Sequence, residues 1–397
     1  MLIRLFASAL ILASSMASAD IVQTDLSKLS FPKPKIASPF EQSWYLEDKN
    51  IHSIMLDEKR AYYGRTDGWV VAYSRNPGVG QEWTFEADSE VRSMAVLNNV
   101  LVVGTKQGYL FGIARDSGEV LWERPIGGAI NNLVADGDQL LATSYNVKEE
   151  HTAILLLGDD GTEIWQYRLN KQPDKVDASK YSGADHRTAN AINSLASHGI
   201  SQIHLAGDVV LFATSDWMDI EATLNVLNRK DGSVRWSKSD SKNFVLHQNW
   251  VYVKDPKGDK IKAFDLQTGQ RLGPVHDSHN GGIKGDVIVA EDGVLYSDQQ
   301  CYFYKSGLRS GVSDFYRTSI CAEYMFPHNG NLLYLNSAGS IGLLDTEDGA
   351  RLWNDYFKNQ KITAPPQKHG NGLLIEFNDR WLSYFEQSSQ PRELTNK

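Results

Sequence analysis

The sequence predicts an all-β fold, namely an eight-bladed β-propeller made of four-stranded antiparallel blades. Three observations predict it. A segment with an apolar strand, a Gly-containing turn and an aromatic residue four positions after the Gly recurs about every forty residues, as in 112–122, 226–236 and 343–353. Each unit contains short apolar runs separated by turn residues, and the strands missing at the two ends of the chain complement each other. Repeats of this period built from short strands are typical of propellers.

The aromatic residue of each unit is interpreted as a structural residue that packs one blade on the next, because a large flat side chain buries much area at low entropy cost. The Gly before it supplies a positive φ that other residues adopt only with strain. Gly273 occupies one aromatic position, which makes eight positions in all. The other seven are Trp44, Trp83, Trp122, Trp165, Trp236, Phe315 and Trp353.

The second unit, residues 91–122, shows the four strands of a blade most clearly, with alternating Val, Leu and Tyr separated by Gly and Asn.

The two ends of the chain predict how the ring closes. Trp44 ends a fourth strand that has no first three strands before it, whereas 370–387 contains a second and third strand without an aromatic fourth. If the N-terminal strand pairs with the last blade, it supplies the missing fourth strand of that blade and removes an open sheet edge. A seven-bladed ring is the alternative if one weakly matching unit does not form.

The chain divides into a signal peptide, 1–19, an extension, 20–35, a single propeller domain, 36–388, with an inserted loop, 168–199, and a C-terminal tail, 389–397. Arg4 precedes a short apolar stretch, and residues 17–19 read Ala-Ser-Ala, the pattern of a cleavage site. No Cys follows that site to carry a lipoprotein anchor, and no later apolar run is long enough to span a bilayer. We therefore expect a periplasmic or secreted protein, and a monomer.

The two cysteines, Cys301 and Cys321, are centred on Gly311, a turn residue of its repeat. Two strands joined at that turn would bring the thiols opposite each other, and the exported compartment is oxidising, so a disulfide is predicted. Two buried free thiols are the alternative.

The formal charge of −9 and the pI near 5.6 argue against binding to nucleic acid, which requires a basic face.

The inserted loop, 168–199, is the first candidate for a functional site. The spacing from Trp165 to Trp236 is 71 residues, about 32 more than the ordinary 39, and this loop accounts for most of the excess; it connects the outer strand of one blade to the inner strand of the next. A long loop in a compact domain is more often functional than idle, although an insertion without a role is the alternative. Its candidate residues are Tyr181, Asp185, His186, Arg187, Asn190, Asn193 and His198, of which Asp185, His186, Asn190 and His198 are the candidates for binding.

Two further connectors are expected on the same face. One carries His276, Asp277 and His279, which form no complete zinc ligand set, so no metal site is predicted. The other carries Arg317, Glu323, Tyr324 and His328. Tyr, His and Arg side chains gathered at a propeller mouth would suit proton abstraction from an acidic sugar. The catalytic candidates of the chain are therefore Tyr181, His186, Arg187, His276, His279, Tyr324 and His328.

The frame of Ala263, Asp265, Thr268 and Gly269 resembles the PQQ-like repeat, as do Asp345, Gly349 and Trp353 in another unit and Gly161 with Trp165 in a third. That repeat is shared by quinoprotein alcohol dehydrogenases and by the BamB-type subunit of the outer-membrane β-barrel assembly machinery. The resemblance implies a propeller over residues 40 to 385. It does not fix the function, because the repeat serves both catalysts and scaffolds.

The chain departs from both groups. It has no pair of adjacent cysteines of the kind that the dehydrogenases place over their quinone, and it has no lipobox Cys. No cofactor is predicted. The sequence favours a binding or scaffold protein of the cell envelope that engages a partner protein or a polysaccharide through its loop-rich face. The alternative is an enzyme at the propeller mouth, either a polysaccharide lyase or a quinoprotein-type dehydrogenase.

Overall fold

The computed structural model describes most of the chain between Phe40 and Gln387. Its ordered elements are 32 β-strands in eight four-stranded antiparallel sheets, and the described residues contain no helix. The described ranges are 40–146, 151–169, 199–215, 222–241, 243–255, 258–277, 282–289, 293–308, 313–317, 322–346, 351–378 and 380–387.

Seven blades consist of four consecutive strands each, and the eighth combines both ends of the chain. Blades 1 to 4 comprise β2 (Ile51–Leu56), β3 (Arg60–Arg65), β4 (Trp69–Ser74), β5 (Gln81–Glu86); β6 (Val91–Leu97), β7 (Val100–Thr105), β8 (Tyr109–Ala114), β9 (Val120–Pro125); β10 (Ala129–Asp136), β11 (Gln139–Asn146), β12 (His151–Gly158), β13 (Glu163–Leu169); and β14 (Ile200–Ala206), β15 (Val209–Ser215), β16 (Ala222–Asn228), β17 (Val234–Ser239). Blades 5 to 8 comprise β18 (Asn243–His247), β19 (Trp250–Lys254), β20 (Lys260–Asp265), β21 (Arg271–Asp277); β22 (Ile283–Val289), β23 (Gly293–Asp298), β24 (Tyr302–Gly307), β25 (Ser313–Arg317); β26 (Tyr324–His328), β27 (Asn331–Leu335), β28 (Ser340–Asp345), β29 (Arg351–Tyr356); and β30 (Gln367–His369), β31 (Gly372–Phe377), β32 (Trp381–Gln387), β1 (Phe40–Glu47).

The first strand of each blade lies at the centre of the ring, where it packs against the first strand of the neighbouring blade. These inner strands line the central channel. All fourth-to-first connectors and second-to-third turns lie at one end of the blades, which we call the connector face. All first-to-second and third-to-fourth turns lie at the other end, the turn face. This alternation follows from the antiparallel order of every sheet.

The predicted eight blades and the predicted ring closure are confirmed, and the seven-bladed alternative is wrong. The N-terminal strand β1 pairs antiparallel with β32, and Trp44 lies opposite Tyr384. At the connector face, Arg65 of blade 1 donates to the Asp48 carboxylate, which directly follows β1, over 3.1 Å. Both side chains are buried, so this ion pair ties the closing strand to the first complete blade.

Tryptophans of the outer strands connect neighbouring blades. Trp83 Nε1 in blade 1 donates to the carbonyl oxygen of Arg115 in blade 2 over 2.8 Å, and Trp165 Nε1 in blade 3 donates to that of Arg229 in blade 4 over 2.7 Å. Gly118 has a φ of 76° and lies against the Trp83 ring, where a Cβ would come within 2.9 Å of the indole. The repeated Gly therefore meets two requirements, since only Gly accepts this φ without strain and leaves room for the indole.

Cys301 directly precedes β24, the third strand of blade 6. Tyr302 pairs with Arg317 and Ser306 with Ser313, so the hairpin is centred one to two residues before Gly311. Cys321 lies outside the described residues, and the disulfide stays a prediction. The predicted domain boundaries likewise stay predictions; β1 and β32 lie within the range proposed for the propeller.

Candidate functional site

The inner strands are interrupted by β-bulges at the connector end of the channel. In blades 1 to 4 the ladder skips one residue near the start of the first strand, and the skipped residues are His52, Arg92, Asn131 and Ser201. In blade 6 it skips two, Gly285 and Asp286. A bulge frees a residue from the alternation of the strand and redirects its side chain, and bulges are common beside functional sites.

A cavity of about 370 Å³ lies between the inner strands of blades 4, 5 and 6 at the connector end. Its polar lining consists of Ser201, Gln202, Asn243, Lys254 and Asp286, and its apolar lining includes Phe244, Val245, Tyr252, Ile261, Val287 and Ile288. Ser201 closely follows the long inserted loop, and Asn243 and Asp286 each lie at or near the start of an inner strand. The cavity therefore opens on the face where the sequence places its longest connectors. Apolar walls with a few polar groups are typical of binding pockets.

Asp286 is held in place by the two-residue bulge. Its backbone N–H donates to the carbonyl oxygen of Glu323 in blade 7 over 3.1 Å, and its Oδ2 accepts a long hydrogen bond of 3.3 Å from the N–H of Met325. Gly285 has a φ of 67°, and a Cβ there would overlap the backbone of Glu323. Desolvation by the surrounding protein raises the pKa of Asp286, although the Met325 amide and the charge of Lys254 lower it. Asp286 is exposed at the cavity, and the Met325 amide and Lys254 are the described groups that favour its charged form.

The other charged groups near the cavity are engaged by the protein. Lys254 Nζ lies 3.3 Å from the carbonyl oxygen of Ile283. Lys284 forms an ion pair of 2.7 Å with Glu323, whose Oε2 accepts a hydrogen bond of 2.7 Å from the Ser337 N–H. Although burial raises it, these contacts hold the pKa of Glu323 below its usual range. Glu323 is therefore a charged structural residue at the junction of blades 6 and 7.

Gln202 joins blades 4 and 5 through two hydrogen bonds of its side-chain amide. Its Nε2 donates to the carbonyl oxygen of Phe244 over 2.8 Å, and its Oε1 accepts from the N–H of the same residue over 2.9 Å. The side-chain amide thus substitutes for one residue of a strand ladder between two inner strands that belong to different sheets. This two-point contact fixes one wall of the cavity.

The structure describes three of the seven catalytic candidates, and it does not gather them. Tyr324 and His328 lie at opposite ends of β26, so Tyr324 is at the connector face and His328 at the turn face. A five-residue strand separates its ends by roughly 13 Å. The candidates in the long loop and His279 lie outside the described residues; they are Tyr181, Asp185, His186, Arg187, Asn190, Asn193, His198 and His279.

His276 lies in strand β21 and not in a connector as expected from the sequence. The strand continues through Gly273 and Pro274, which the ladder skips, and His276 pairs with Ile261. Its side chain is fully buried, with Nδ1 2.5 Å from the Ser306 hydroxyl of blade 6. Burial lowers the pKa of His276. The residue is a buried contact between blades 5 and 6.

A larger groove of about 680 Å³ lies at the turn face between blades 3 and 4. Its principal cations bind neighbouring protein groups: Arg229 donates to Asp136 over 2.5 Å and Arg235 to Asp208 over 2.9 Å. The groove is open to solvent and its arginines support the ring, so we place the candidate site at the connector end. Among the residues that the structure describes, no three His, Cys, Asp or Glu side chains are arranged to hold a metal ion.

The sequence reasoning missed Gln202, Lys254 and Asp286. The one usable signal is Gly285-Asp286, a flexible and a charged residue that interrupt the apolar run 283–289.

The described part of the chain contains no helix that could span a membrane.

An eight-bladed ring of PQQ-like repeats is the class of protein that this fold defines. The chain belongs to the PQQ_2 family, whose model is described as outer membrane protein assembly factor BamB and matches residues 66–299. No curated protein sequence matches the chain.

Three solved structures share the fold. BamB from Moraxella catarrhalis superimposes with a TM-score of 0.62 at 13% identity, covering 88% of this chain and 98% of its own. The computationally designed Ika8 protein gives 0.61 at 15% identity, with 86% and 97% covered. A europium-containing methanol dehydrogenase gives 0.62 at 10% identity, with 88% and 93% covered. At such identities the likeness concerns the fold alone, and it spans an assembly factor, a designed protein and an enzyme.

Proposed function

We propose that the protein is an exported binding scaffold of the cell envelope that engages a partner protein through its connector face. The observation that carries the proposal is the cavity between blades 4, 5 and 6, which combines apolar walls with the exposed Asp286 carboxylate at the end of the blades where the sequence places the longest connector. Membership of a family described as an outer membrane assembly factor supports the choice of a protein partner. The sequence of residues 1–19 supports export.

The lining of the cavity suits recognition of a polypeptide. Val245 and Ile288 are partly exposed and offer apolar contact area, while Ser201 and Asn243 are exposed at its rim and carry both donors and acceptors. Interfaces commonly combine a desolvated apolar centre with a polar rim. Because Gln202 and the bulge at Gly285 fix the walls, the surface is preorganised, which reduces the entropy cost of binding.

Site-specific photocrosslinking tests the proposal. A photoreactive benzoylphenylalanine is placed at Ser201 or Asn243 in the cavity rim and, as a control, at Leu121, which is 54% exposed on the outer strand of blade 2. We expect both rim positions to crosslink to the same envelope protein in cells and the control position to give no such adduct. Adducts from Leu121 alone, or none from the rim in a folded protein, would reject the proposal. Turnover of alcohols or acidic polysaccharides, lost on His186→Ala, would support the enzymatic alternative instead.

A further inference from the structure

The bulge residues of blades 1, 2 and 3 form a second feature of the channel, away from the cavity described above. Strands β2, β6 and β10 pack side by side, and each carries one skipped residue at the same place near its start. His52, Arg92 and Asn131 therefore occupy equivalent positions along the connector end of the channel. All three side chains carry hydrogen-bond donors.

The charges around these residues are unbalanced. A single carboxylate, that of Glu90, contacts Lys106 Nζ at 2.9 Å, Arg92 Nε at 3.2 Å and His52 Nε2 at 3.6 Å. These cations hold the pKa of Glu90 below its usual range although burial raises it. One Glu thus faces an Arg, a Lys and a His, in a chain whose formal charge is −9.

The donors of Arg92 are only partly used. Within the part of the chain that the structure describes, Glu90 is the only partner of the Arg92 guanidinium, through Nε, and the side-chain amide of Asn131 makes no hydrogen bond. Arg92 Nε lies in an ion pair without hydrogen-bond geometry and is itself inaccessible to water. The planar Nη donors of an Arg match a carboxylate in bidentate geometry, and such charge-assisted bonds are among the strongest in proteins.

We propose that His52, Arg92 and Asn131 form an anion site that binds carboxylate side chains of an acidic polypeptide segment. Arg92 makes the bidentate contact, Asn131 donates from one side, and Lys106 supplies additional positive charge. Burial lowers the pKa of His52, so its ring is neutral at pH 7 and offers one N–H donor. Glu90 does not take part in binding; it fixes the orientation of the Arg92 Nε edge and leaves the opposite edge for the ligand.

This site goes beyond the proposed function, because it lies on a different arc of the channel and needs no contact with the cavity between blades 4 and 6. Only the choice of a polypeptide over an acidic sugar rests on the proposed function. Retained anion binding without crosslinks at Ser201 and Asn243 would reject the scaffold proposal alone. Crosslinks without anion binding would reject this inference alone.

The test uses the mature chain with hexaglutamate as the probe, at low salt because exposed charges are screened at high salt. Binding is followed by fluorescence anisotropy of labelled peptide and by NMR of the His52 ring. We expect Arg92→Gln to weaken binding at least about tenfold, the effect of losing one charged hydrogen bond. The matched control is Arg124→Gln on the outer strand of blade 2, which should leave binding unchanged. In the wild type, bound peptide should raise the pKa of His52, because a second carboxylate stabilises its charged form.

Asn131→Asp is the second variant, since it keeps the size of the side chain and adds a negative charge beside the ligand. It should abolish binding while the unfolding temperature stays close to that of the wild type. No binding of hexaglutamate to folded wild type, equal binding by Arg92→Gln, or an unchanged His52 titration in the complex would each overturn the inference. Binding of tetragalacturonate but not of hexaglutamate would also overturn it, in favour of an acidic polysaccharide.

Discussion

The guanidinium of Arg115 in blade 2 donates a hydrogen bond of 2.6 Å to the carboxylate of Asp57 in blade 1. Its other terminal nitrogen donates to the carbonyl oxygen of Asn98 in its own blade over 2.7 Å. The carbonyl oxygen of Arg115 in turn accepts from Trp83 of blade 1. One residue at the end of a third strand therefore holds two blades together through both its side chain and its backbone.

Asp57→Asn should lower the free energy of unfolding by about 2 kcal/mol, because it removes the buried one of the two carboxylates on Arg115 and leaves only the exposed Glu58, 2.8 Å away. Asp57 and Arg115 side chains are only 5% and 10% exposed. Urea denaturation followed by Trp fluorescence measures the change. The control is Glu163→Gln, which removes the half-exposed ion pair with Arg124 and should cost less than about 1 kcal/mol. Equal effects of the two substitutions would contradict the assignment.

The same pair predicts a dependence of stability on acid. Although burial raises it, hydrogen bonds from Lys59 N–H, Tyr62 Oη and Arg60 N–H, with the charge of Arg115, hold the pKa of Asp57 below its ordinary value of 3.8. A carboxyl whose folded pKa is depressed stabilises the fold above its unfolded pKa, and this contribution is lost as the pH falls through the folded value. Below about pH 4 the wild type should therefore lose more stability than Asp57→Asn. Unfolding free energies measured from pH 7 to pH 2 compare the two slopes.

Gly118→Ala should destabilise the protein more than Gly137→Ala. Both glycines have positive φ, 76° and 63°, so each substitution costs about 1–2 kcal/mol of backbone strain. Only at position 118 would the new Cβ also overlap the Trp83 ring, whereas nothing lies within 4 Å of it at position 137. We expect a further 1–3 kcal/mol, roughly, for this overpacking. Thermal unfolding of the two variants tests the difference. Equal melting temperatures would contradict the prediction and would show that the Trp83 ring moves away from the new Cβ at little cost.

Trp83→Phe and Trp353→Phe separate the hydrogen bond of the indole from its packing. Trp83 Nε1 donates to the Arg115 carbonyl oxygen, whereas Trp353 Nε1 is buried with no partner among the described residues. Both substitutions remove similar volume. Trp83→Phe should therefore cost about 1 kcal/mol more, the net value of one hydrogen bond. Chemical denaturation of both variants provides the measurement; a larger loss for Trp353→Phe would contradict the role given to the hydrogen bond.

His276→Asn should reduce the sensitivity of the fold to mild acid. Burial lowers the pKa of His276, so the unfolded chain binds a proton there more readily than the folded one. The resulting penalty is absent above the unfolded pKa, near 6.5, and grows as the pH falls below it. Between pH 7 and pH 5 the wild type should lose stability more steeply than the variant. The free energies of unfolding are measured by urea denaturation at each pH. If they fall equally with pH in both proteins, the prediction is contradicted, and the contact with Ser306 stabilises the protonated His276 ring.

The repeat made the fold predictable, because an aromatic residue and the Gly before it mark the same place in most blades, and the incomplete ends at Trp44 and 370–387 require each other. The site was far less predictable. A bulge adds one residue without changing the composition of a strand, so nothing in the sequence distinguishes Arg92 from a residue in regular alternation. His276 was placed in a connector because Gly273-Pro274 reads as a strand end. Strand β21 is an edge strand, where a Pro lacking its N–H breaks no ladder bond, and the pair forms a bulge instead.

The pairing of Trp44 with Tyr384 joins residues 340 positions apart. Strand β1 is therefore synthesised first but can pair only after β32, the last strand, has been synthesised. The strand that leaves the ribosome first has no sheet to enter until the last strand arrives, and contacts of such sequence separation form slowly. During that interval blade 1 presents a face that β1 will later cover, and β32 presents a bare edge. Correct folding therefore requires that neither surface pairs with another molecule before β1 and β32 have met.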